Sequence, residues 1–265
     1  MALKIGIFDS GIGGLSVVKK IREKFEGLDI YYLADKKFAP YGELKRDAIL
    51  NRALWCGEKL AEIGADMIVV ACNTATAAGV EALRQKLSIP VIGVEPDLNF
   101  HLRSEDRVRP QDICVLCTNY TLKSPRFIDL QRRRDPESKM NYVGLKNLAR
   151  LVEECFWNSS ERVEGEKKIF ADLEQHFSDN ERKIFILGCT HYELIDSLIQ
   201  EKLNVFTVGV SEAISQRCDE VIKTSGLNNN GFADSCGGFY FFNSEKEKGD
   251  WEQLDLEKFI SWPRT

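Results

Sequence analysis

The sequence predicts an α/β protein with two similar doubly wound lobes and mostly parallel sheets. Short apolar runs alternate with longer amphipathic stretches along most of the chain, which is the order expected of a parallel sheet covered by helices. In addition, one plan of apolar strand, cysteine-bearing turn and helix occurs twice, in MIVVACNTAT (67–76) and IFILGCTHYE (184–193). We therefore expect two related lobes, formed by residues 1–98 with 208–265 and by residues 99–207.

The first part of the chain alternates four predicted strands with three predicted helices. Apolar runs predict strands at residues 3–8, 29–35, 66–73 and 89–96. Apolar residues at helical spacing predict helices at residues 14–25, 46–65 and 74–87. Strands separated by crossover helices pair in parallel, because each helix returns the chain to the edge where the previous strand began.

A charged stretch at residues 101–112 predicts a break between the two lobes. Beyond it, the same alternation predicts strands at 113–118 and 203–210, a strand-to-helix turn at 182–194, and helices at 124–134 and 211–223. The polar segment between them, residues 135–183, is predicted to be mostly helical. The remaining predictions are a loop at 224–235, a strand at 237–243 and a short helix near LEKFISW (256–262).

The charge and hydropathy of the chain argue against two classes of main partner. The 265 residues carry a net charge of -5 with a pI near 5.5, so the overall field does not favour nucleic acid or an anionic membrane. The apolar runs are shorter than the roughly 18 residues that a membrane span needs. The N-terminal run is interrupted at Asp9, unlike a secretory signal. We expect a cytoplasmic protein whose partner is a small molecule.

Eight cysteines occur without the paired spacing of a metal site, at positions 56, 72, 114, 117, 155, 189, 218 and 236. Cys114 and Cys117 form one CxxC pair, but it lies inside a predicted strand, where the two side chains face opposite ways. No second pair accompanies it. We therefore expect free thiols, most of them buried, and no metal.

The glycine-rich segment FDSGIGGLS (8–16) predicts a tight turn between the first strand and the first helix. Backbone N–H groups at a helix start, together with the Ser10 hydroxyl, can hold a carboxylate or a phosphate. The segment departs from the dinucleotide-binding pattern, because Ser16 stands where the third glycine belongs and Asp9 would repel a pyrophosphate. A purely structural turn explains the segment as well, so it does not define a site alone.

Two further polar turns follow predicted strands. APYGEL (39–44) contains Tyr41 and Gly42, and taken alone it is an ordinary turn. CTNYTLKS (117–124) offers the hydroxyl groups of Thr118, Thr121 and Ser124. These hydroxyls could donate to a carboxylate, although helix capping is the simpler interpretation.

Two cysteines occupy matching strand-to-helix turns, one in each predicted lobe. The turns are ACNTAT, with Cys72, Asn73 and Thr74, and GCTHY, with Cys189, Thr190 and His191. The partial positive charge at a helix N-terminus stabilises a thiolate. Either cysteine alone is more simply a small buried residue, but the repetition favours a function. Since ligands bind at the carboxyl ends of strands in such sheets, facing lobes would bring both thiols to one cleft.

Two opposed thiols suit proton transfer at the two faces of one carbon atom. One thiolate removes a proton while the opposite thiol donates one, which inverts a stereocentre. A cysteine pKa of about 8.5 leaves a few per cent thiolate at pH 7, and neighbours such as Asp9 and His191 can tune that fraction. Hydrogen bonds to a substrate carboxylate and exclusion of water would stabilise the carbanion. None of these turns contains a lysine for a Schiff base, which argues against pyridoxal phosphate.

Together, the motifs IGIFDSGIGGLSV, PYGE, ACNTAT, TxxTxxS (118–124) and LGCTHYEL resemble those of bacterial glutamate racemases, members of the cofactor-independent aspartate/glutamate racemase superfamily. They occur in that family's order, and the resemblance covers residues 3–96, 115–124 and 184–195. It implies two α/β lobes with the active site between them, no cofactor and a homodimer. It also implies conversion of L- to D-glutamate for peptidoglycan cell-wall synthesis.

The resemblance implies roles for individual residues. Cys72 and Cys189 would be the proton donor and acceptor pair, with Asp9 assisting Cys72 and His191 assisting Cys189. Glu153, in RLVEE, would be a third helper carboxylate. By the same motifs, the substrate-binding residues would be Asp9, Ser10, Tyr41, Gly42, Asn73, Thr74, Thr118, Thr121, Thr190 and His191.

Several departures from the family pattern bear on substrate scope. GLKNLARLVEE lacks the Cys-Pro that usually precedes the helper glutamate, Tyr120 replaces a small residue, and TVGVSEA and EPDLNF also differ. The alternatives are an aspartate or other amino-acid racemase, a non-catalytic α/β ligand-binding protein and a nucleotide-binding protein. The FDSGIGG opening and the histidine after the second Cys-Thr favour glutamate, and the presence of both cysteines favours catalysis.

Overall fold

The computed structural model describes residues 2–104, 108–177, 183–227, 237–246 and 250–260. Within these ranges, strands form two sheets and helices pack around them. The predicted α/β class with mostly parallel sheets is confirmed. Several predicted features lie wholly or partly outside the described residues: the loop at 224–235, Cys236, part of the charged stretch at 101–112 and the end of the terminal helix.

The strands are β1 (Lys4–Asp9), β2 (Asp29–Ala34), β3 (Met67–Val70), β4 (Val91–Gly93), β5 (Ile113–Cys117), β6 (Asn141–Gly144), β7 (Ile184–Gly188), β8 (Phe206–Val208), β9 (Phe239–Asn243) and β10 (Glu252–Gln253). The α-helices are α1 (Leu15–Lys24), α2 (Arg46–Glu62), α3 (Asn73–Lys86), α4 (Phe100–Arg103), α5 (Asn119–Lys123), α6 (Pro125–Arg134), α7 (Leu148–Trp157), α8 (Arg162–Phe177), α9 (Thr190–Glu193), α10 (Asp196–Leu203), α11 (Ser211–Thr224) and α12 (Leu256–Ile260). Short 3-10 turns lie at Lys36–Phe38, Tyr41–Glu43, Pro110–Asp112 and Ser159–Glu161.

The first sheet has six strands in the order β10-β9-β2-β1-β3-β4. All neighbours pair in parallel except β10 with β9. The central strands are buried on both faces, which explains why they are continuous apolar runs. The chain returns to this sheet near its end, because β9 pairs with β2, as Ile30 with Phe239.

The second sheet has four parallel strands in the order β6-β5-β7-β8. Strands β5 and β7 are central and completely buried, whereas β6 and β8 are edge strands with partly exposed side chains. In their central positions, β5 and β7 correspond to β1 and β3 of the first sheet. The strand, cysteine-bearing turn and helix that occur twice in the sequence therefore reflect a shared arrangement of the central strands.

One strand was missed by the prediction that residues 135–183 are mostly helical. The segment contains α7 and α8, but β6 precedes them and pairs with β5, as Cys114 with Asn141. Its four residues, NYVG, are partly or fully exposed, so they lack the apolar run that marks a buried strand. Tertiary pairing rather than local pattern makes this segment a strand.

A continuous apolar core joins the two sheets. The largest buried cluster includes Ile12 and Val69 from the side of the first sheet and Leu116 and Leu187 from the second. Among the described residues, no helix is both long enough and apolar enough to cross a membrane.

The carboxyl ends of the central strands carry the predicted functional residues. Asp9 ends β1, and Cys72 follows β3 by two residues. Thr118 and Cys189 directly follow β5 and β7. Since these edges of the two sheets meet, the topology gathers residues that are far apart in the sequence, as the strand-end rule predicts.

Candidate active site

Cys72 lies at the junction between β3 and α3. Its backbone is extended, and its sulfur accepts the backbone N–H of Ala75 at 3.4 Å, so that it caps the helix. The thiol in turn donates to the Ser10 hydroxyl oxygen at 3.9 Å. With only 5% of its surface exposed, the side chain is buried at the site.

Cys189 occupies the matching position between β7 and α9. Its backbone is also extended at the helix N-cap, and it is 6% exposed. Its thiol lies close enough to the ring of His191, two residues further on, to raise the pKa of that histidine against the effect of burial. The repeated Cys-bearing turn predicted from the sequence therefore has the same backbone role in both sheets.

Asp9 connects the glycine-rich turn to the second sheet. One carboxylate oxygen accepts the backbone N–H of Ser10 at 2.6 Å. The other accepts the N–H of Gly14 at 2.6 Å and the hydroxyl of Thr190 at 3.0 Å. Because Asp9 is completely buried, these donors replace its lost hydration.

His191 and Glu153 form a buried pair beside Cys189. His191 Nε2 lies 2.8 Å from Glu153 Oε2, which also accepts the backbone N–H of Ile12 at 3.0 Å. The other oxygen, Oε1, accepts the indole N–H of Trp157 at 2.8 Å. Glu153 thus lies against the site, although the sequence before it departs from the family pattern.

The glycine-rich turn holds carboxylates that belong to the protein itself. Its N–H groups at Ser10, Ile12 and Gly14 donate to Asp9 and Glu153. This differs from the simplest form of the anion-binding prediction, in which those donors would face a ligand. The turn instead fixes two acidic side chains at the cleft.

The pKa values of the pair favour its charged form. Burial lowers the pKa of His191, but hydrogen bonds to Cys189 and Glu153 and the charge of Asp9 outweigh burial and raise it well above the usual range. Burial would raise the pKa of Glu153, but the hydrogen bonds from His191, Ile12 and Trp157 lower it overall. The raised pKa of His191 favours an imidazolium beside Cys189.

The pKa of Cys72 is raised well above the ordinary thiol range. Burial is the largest cause, followed by the negative charge of Asp9, and charge on Cys189 acts in the same direction. The N–H of Ala75 lowers the pKa, as expected at a helix N-terminus, but less than burial raises it. The helix start therefore acts on Cys72 in the expected direction, but burial and Asp9 outweigh it.

Three threonine hydroxyls converge from the two sheets. Thr74 Oγ1, at the start of α3, lies 3.1 Å from Thr118 Oγ1 and 3.4 Å from Thr121 Oγ1. The two second-sheet hydroxyls are 3.0 Å apart. The nearby Ser124 hydroxyl instead caps α6 by accepting the N–H of Phe127 at 3.2 Å.

Asn73, the residue after Cys72, is 4% exposed. Among the described residues, neither its amide oxygen nor its amide nitrogen has a hydrogen-bond partner. A buried amide without partners is costly and is typical of a group that meets a ligand. Asn73 lines a small cavity together with Thr121 and Arg126, and a separate cavity of about 260 Å³ is lined in part by Gly42 and Thr118.

Tyr41 is held by a charged network outside the thiol pair. Its hydroxyl donates to Asp35 at 2.5 Å, and Asp35 also accepts two hydrogen bonds from Arg52, at 2.7 and 2.8 Å. A Cβ atom on the next residue, Gly42, would lie 3.1 Å from Thr118 Cβ, so this turn reaches the second sheet.

Comparison with known proteins identifies the family. A family model for Asp/Glu/Hydantoin racemase matches residues 5–216. The chain belongs to the Asp/Glu/hydantoin racemase family. It is 35% identical to glutamate racemase from Ralstonia pickettii (strain 12J), over 86% of this chain and 79% of that protein.

Solved structures of racemases have the same architecture. Glutamate racemase isoform RacE1 from Bacillus anthracis matches with a TM-score of 0.72 and 28% identity, over 91% of this chain and 88% of that one. Glutamate racemase from Escherichia coli, in complex with L-glutamate and the activator UDP-MurNAc-ala, matches with a TM-score of 0.74 and 25% identity, over 92% and 89%.

In this member of the racemase family, the predicted site residues lie in one region of the structure. They differ in how close they are to the two thiols. The sequence analysis missed Trp157, Arg52 and Asp35, which support predicted residues from outside the motifs. Trp157 could have been noticed, because it stands four residues after Glu153 and therefore shares its helix face. Within the described residues, no group of three or more His, Cys, Asp and Glu side chains is arranged to hold a metal ion.

Proposed function

We propose that this chain is a glutamate racemase that interconverts L- and D-glutamate by proton transfer between Cys72 and Cys189. The observation that supports it best is the pair of buried cysteines at equivalent helix N-caps of the two sheets, close enough for charge on one to affect the other. A stereocentre can be inverted when one acid–base group lies on each face of the carbon. Family membership and the glutamate racemases among the similar proteins support the same activity.

In the proposed reaction, one thiolate removes the α-proton of glutamate. The C–H bond breaks, an S–H bond forms, and the electron pair stays on the substrate as a carbanion delocalised into its carboxylate. The opposite thiol then donates its proton to the other face and becomes the thiolate. The reverse reaction exchanges the roles of Cys72 and Cys189, so protons and charge balance in both directions.

The neighbours of the thiols are suited to different tasks. His191 is charged and bonded to Cys189, so it can stabilise a thiolate there. The high pKa of Cys72, caused first by burial and then by Asp9, favours its thiol form before substrate binds. We infer that the resting enzyme holds a proton on Cys72.

The substrate would be held by the polar groups that surround the thiols. The partner-free amide of Asn73 and the hydroxyls of Thr74, Thr118 and Thr121 offer donors to a carboxylate. Ser10, Thr190 and the turn at Tyr41 and Gly42 complete the proposed binding residues. In this arrangement neutral donors rather than a cofactor would stabilise the carbanion.

The biological setting is also a proposal. We infer that the enzyme is cytoplasmic, forms a homodimer and supplies D-glutamate for peptidoglycan synthesis. The lobes would comprise residues 1–98 with 208–265 and residues 99–207, which agrees with the return of β9 to the first sheet. Measurement of molar mass in solution by sedimentation tests the dimer, and a monomeric mass would contradict it.

Deuterium exchange at the α-carbon tests the mechanism. In D₂O, the wild-type enzyme should incorporate deuterium into both enantiomers of glutamate as they interconvert. Cys72→Ala and Cys189→Ala should each abolish racemisation, because one face of the carbon then lacks its acid–base group. Exchange on a single face that survives in one variant would support the two-base scheme. NMR and chiral chromatography of the products provide the readouts.

Cys218→Ala is the matched control. Cys218 is a fully buried cysteine on α11, outside the candidate site, so racemisation should persist in this variant. Full activity of either Cys72→Ala or Cys189→Ala would contradict the mechanism. Formation of D-aspartate from L-aspartate without D-glutamate from L-glutamate would contradict the substrate assignment.

A further inference from the structure

The Glu153 carboxylate has donors on both of its oxygens. On the side of the site, Oε2 accepts from His191 and from the N–H of Ile12. On the opposite side, Oε1 accepts the indole N–H of Trp157 at 2.8 Å. Because Glu153 is 7% exposed, a rotation of its carboxyl group would leave buried donors without an acceptor.

Trp157 ends α7 one turn after Glu153, and its ring is held from several sides. The rings of Phe156 and Phe259 pack against it edge-on at centroid distances of 5.2 and 6.4 Å, and Phe241 lies at 6.4 Å. The ammonium group of Lys36 lies 4.4 Å from the ring centroid. Phe241 belongs to the first sheet, whereas α7 follows the second. The indole N–H is therefore fixed by elements on both sides of the site.

We propose that Trp157 is a positioning residue, whose indole N–H holds the Glu153 carboxylate in line with His191 beside Cys189. Among the described residues, the indole N–H donates to Glu153, and we infer that Trp157 acts through this carboxylate. This inference rests on the proposed racemase function for its catalytic meaning, but the placement of Glu153 can be tested without turnover.

The physical effect of the indole is electrostatic and geometric. A donor to Oε1 favours the ionised carboxylate, and an ionised, correctly turned carboxylate favours the imidazolium of His191. The groups facing His191 are Asp9 from β1, Glu153 from α7 and the Cys189 thiol. The phenol of Tyr32 lies near Glu153, and its pKa is raised first by burial and then by the charges of Asp9 and Glu153. The substitution Trp157→Phe removes the N–H donor to Oε1 and also replaces the indole ring beside Lys36 with a smaller ring.

Titration of His191 by NMR tests the positioning role directly. The chain has three histidines, so the His191 signal can be assigned by its loss in His191→Gln. In Trp157→Phe, we expect the pKa of His191 to fall by about 0.5 to 1 unit, because the Glu153 carboxylate is no longer held in line with the imidazolium. Phe259→Leu is the matched control: it loosens the packing around the indole but keeps the N–H, so the pKa of His191 should not move.

A double-mutant cycle separates action through Glu153 from a general structural effect. Glu153→Gln alone should also lower the pKa of His191. Adding Trp157→Phe to Glu153→Gln should shift it no further, because the carboxylate through which the indole acts is gone. The proposal would be overturned if the two substitutions shifted the pKa of His191 additively. It would also be overturned if Trp157→Phe alone left that pKa unchanged.

Kinetics supply the catalytic readout. We expect Trp157→Phe to lower kcat about 10-fold, with a smaller change in KM, and to move the alkaline limb of the kcat/KM profile to lower pH. The loss in kcat/KM must be equal for both enantiomers, because they have equal free energies in solution. Trp157→His, which can still donate a hydrogen bond, should recover part of the activity. An unshifted alkaline limb would contradict the role of Trp157 even if racemisation were established.

Discussion

Asp9 and Glu153 show how a small number of backbone donors can organise the candidate active site. Each carboxylate is buried, and each receives N–H groups from the same glycine-rich turn. The turn thereby sets the position of the charges next to both thiols. Glycine is needed there because side chains approach the backbone closely, not because the backbone is left-handed.

Gly13→Ala tests this close approach. A Cβ atom at this position would lie 2.4 Å from His191 Nδ1 and 2.7 Å from Asp9 Oδ2, and both neighbours are buried. We expect kcat/KM to fall at least about 100-fold, since a displacement of about 1 Å in a catalytic group has effects of this size. Steady-state racemisation assays, with circular dichroism to verify folding, provide the measurement.

Gly226→Ala is the control for that substitution. Gly226 has a positive φ of 68°, and an added Cβ would meet no atom of the described residues within 4 Å. It should lose about 1 kcal/mol of stability from backbone strain and keep its activity. Wild-type activity in Gly13→Ala would show that His191 and Asp9 can move without consequence.

Prediction from the sequence worked best at residues that sit inside compact motifs. Cys189 directly follows β7, and Cys72 and His191 lie two and three residues after their strands, so the strand-end rule predicts where they lie. The net pKa direction of Cys72 could not be foreseen, because burial and the neighbouring Asp9 act on it from the folded environment. Trp157 was missed because its role depends on a partner at the site rather than on a local pattern.

At the scale of elements, α2 positions the turn that carries Tyr41 and Gly42. Arg52 of α2 makes a bidentate pair of hydrogen bonds to the fully buried Asp35 carboxylate. This carboxylate also accepts a hydrogen bond from the Tyr41 hydroxyl. The guanidinium is flanked by the rings of Phe38 and Trp55 at 4.2 and 4.1 Å. Such a stacked, two-pronged geometry suits arginine better than lysine.

Arg52→Gln should therefore be strongly destabilising. Its removal leaves the buried Asp35 carboxylate without its cation, which we expect to cost about 3 to 5 kcal/mol in the free energy of unfolding. KM for glutamate should also rise, because the Tyr41 turn loses its anchor. Urea denaturation and steady-state kinetics measure the two effects.

A surface ion pair on the same helix is the control. Lys59 and Glu62 lie 2.6 Å apart with exposed side chains, so Lys59→Gln should change stability by less than about 1 kcal/mol. Equal losses of unfolding free energy in Arg52→Gln and Lys59→Gln would show that the burial of Asp35 does not determine how much stability is lost.

Elements were predictable where burial makes the sequence pattern strong. The central strands β1, β3, β5 and β7 are apolar runs because their side chains are buried on both faces. The edge strand β6 has no such pattern, and its pairing with β5 is a long-range contact that local sequence does not encode. The two-residue strand β10 was missed for the same reason.

For the whole molecule, the site is also a junction between the sheets. The hydrogen bond from Thr190 to Asp9 and the contacts among Thr74, Thr118 and Thr121 cross from one sheet to the other. The repeated pattern of strand, cysteine-bearing turn and helix predicted that two related units face each other. It could not predict that one continuous apolar core lies behind the site.

The buried pair of His191 and Glu153 makes the stability of the whole molecule depend on pH. The pKa of His191 is raised, through hydrogen bonds to Cys189 and Glu153 that outweigh burial, so its charged form favours the folded state. This contribution is fully present below the unfolded pKa of about 6.5 and is lost as pH rises through the folded pKa. The pKa of Glu153 is lowered, so its contribution is present above about pH 4.3 and is lost as pH falls through its folded value.

His191→Gln should reveal this linkage as a pH-dependent loss of stability. Relative to wild type, we expect the variant to lose about 1 to 3 kcal/mol at pH 5.5, where both partners are charged. The difference should narrow as pH rises through the folded pKa of His191, because the wild type then loses the same interaction. Urea denaturation from pH 5.5 to 9.5 measures the difference, with His101→Gln as the control. If the difference in unfolding free energy between wild type and His191→Gln stays constant across that pH range, the imidazolium does not stabilise the fold.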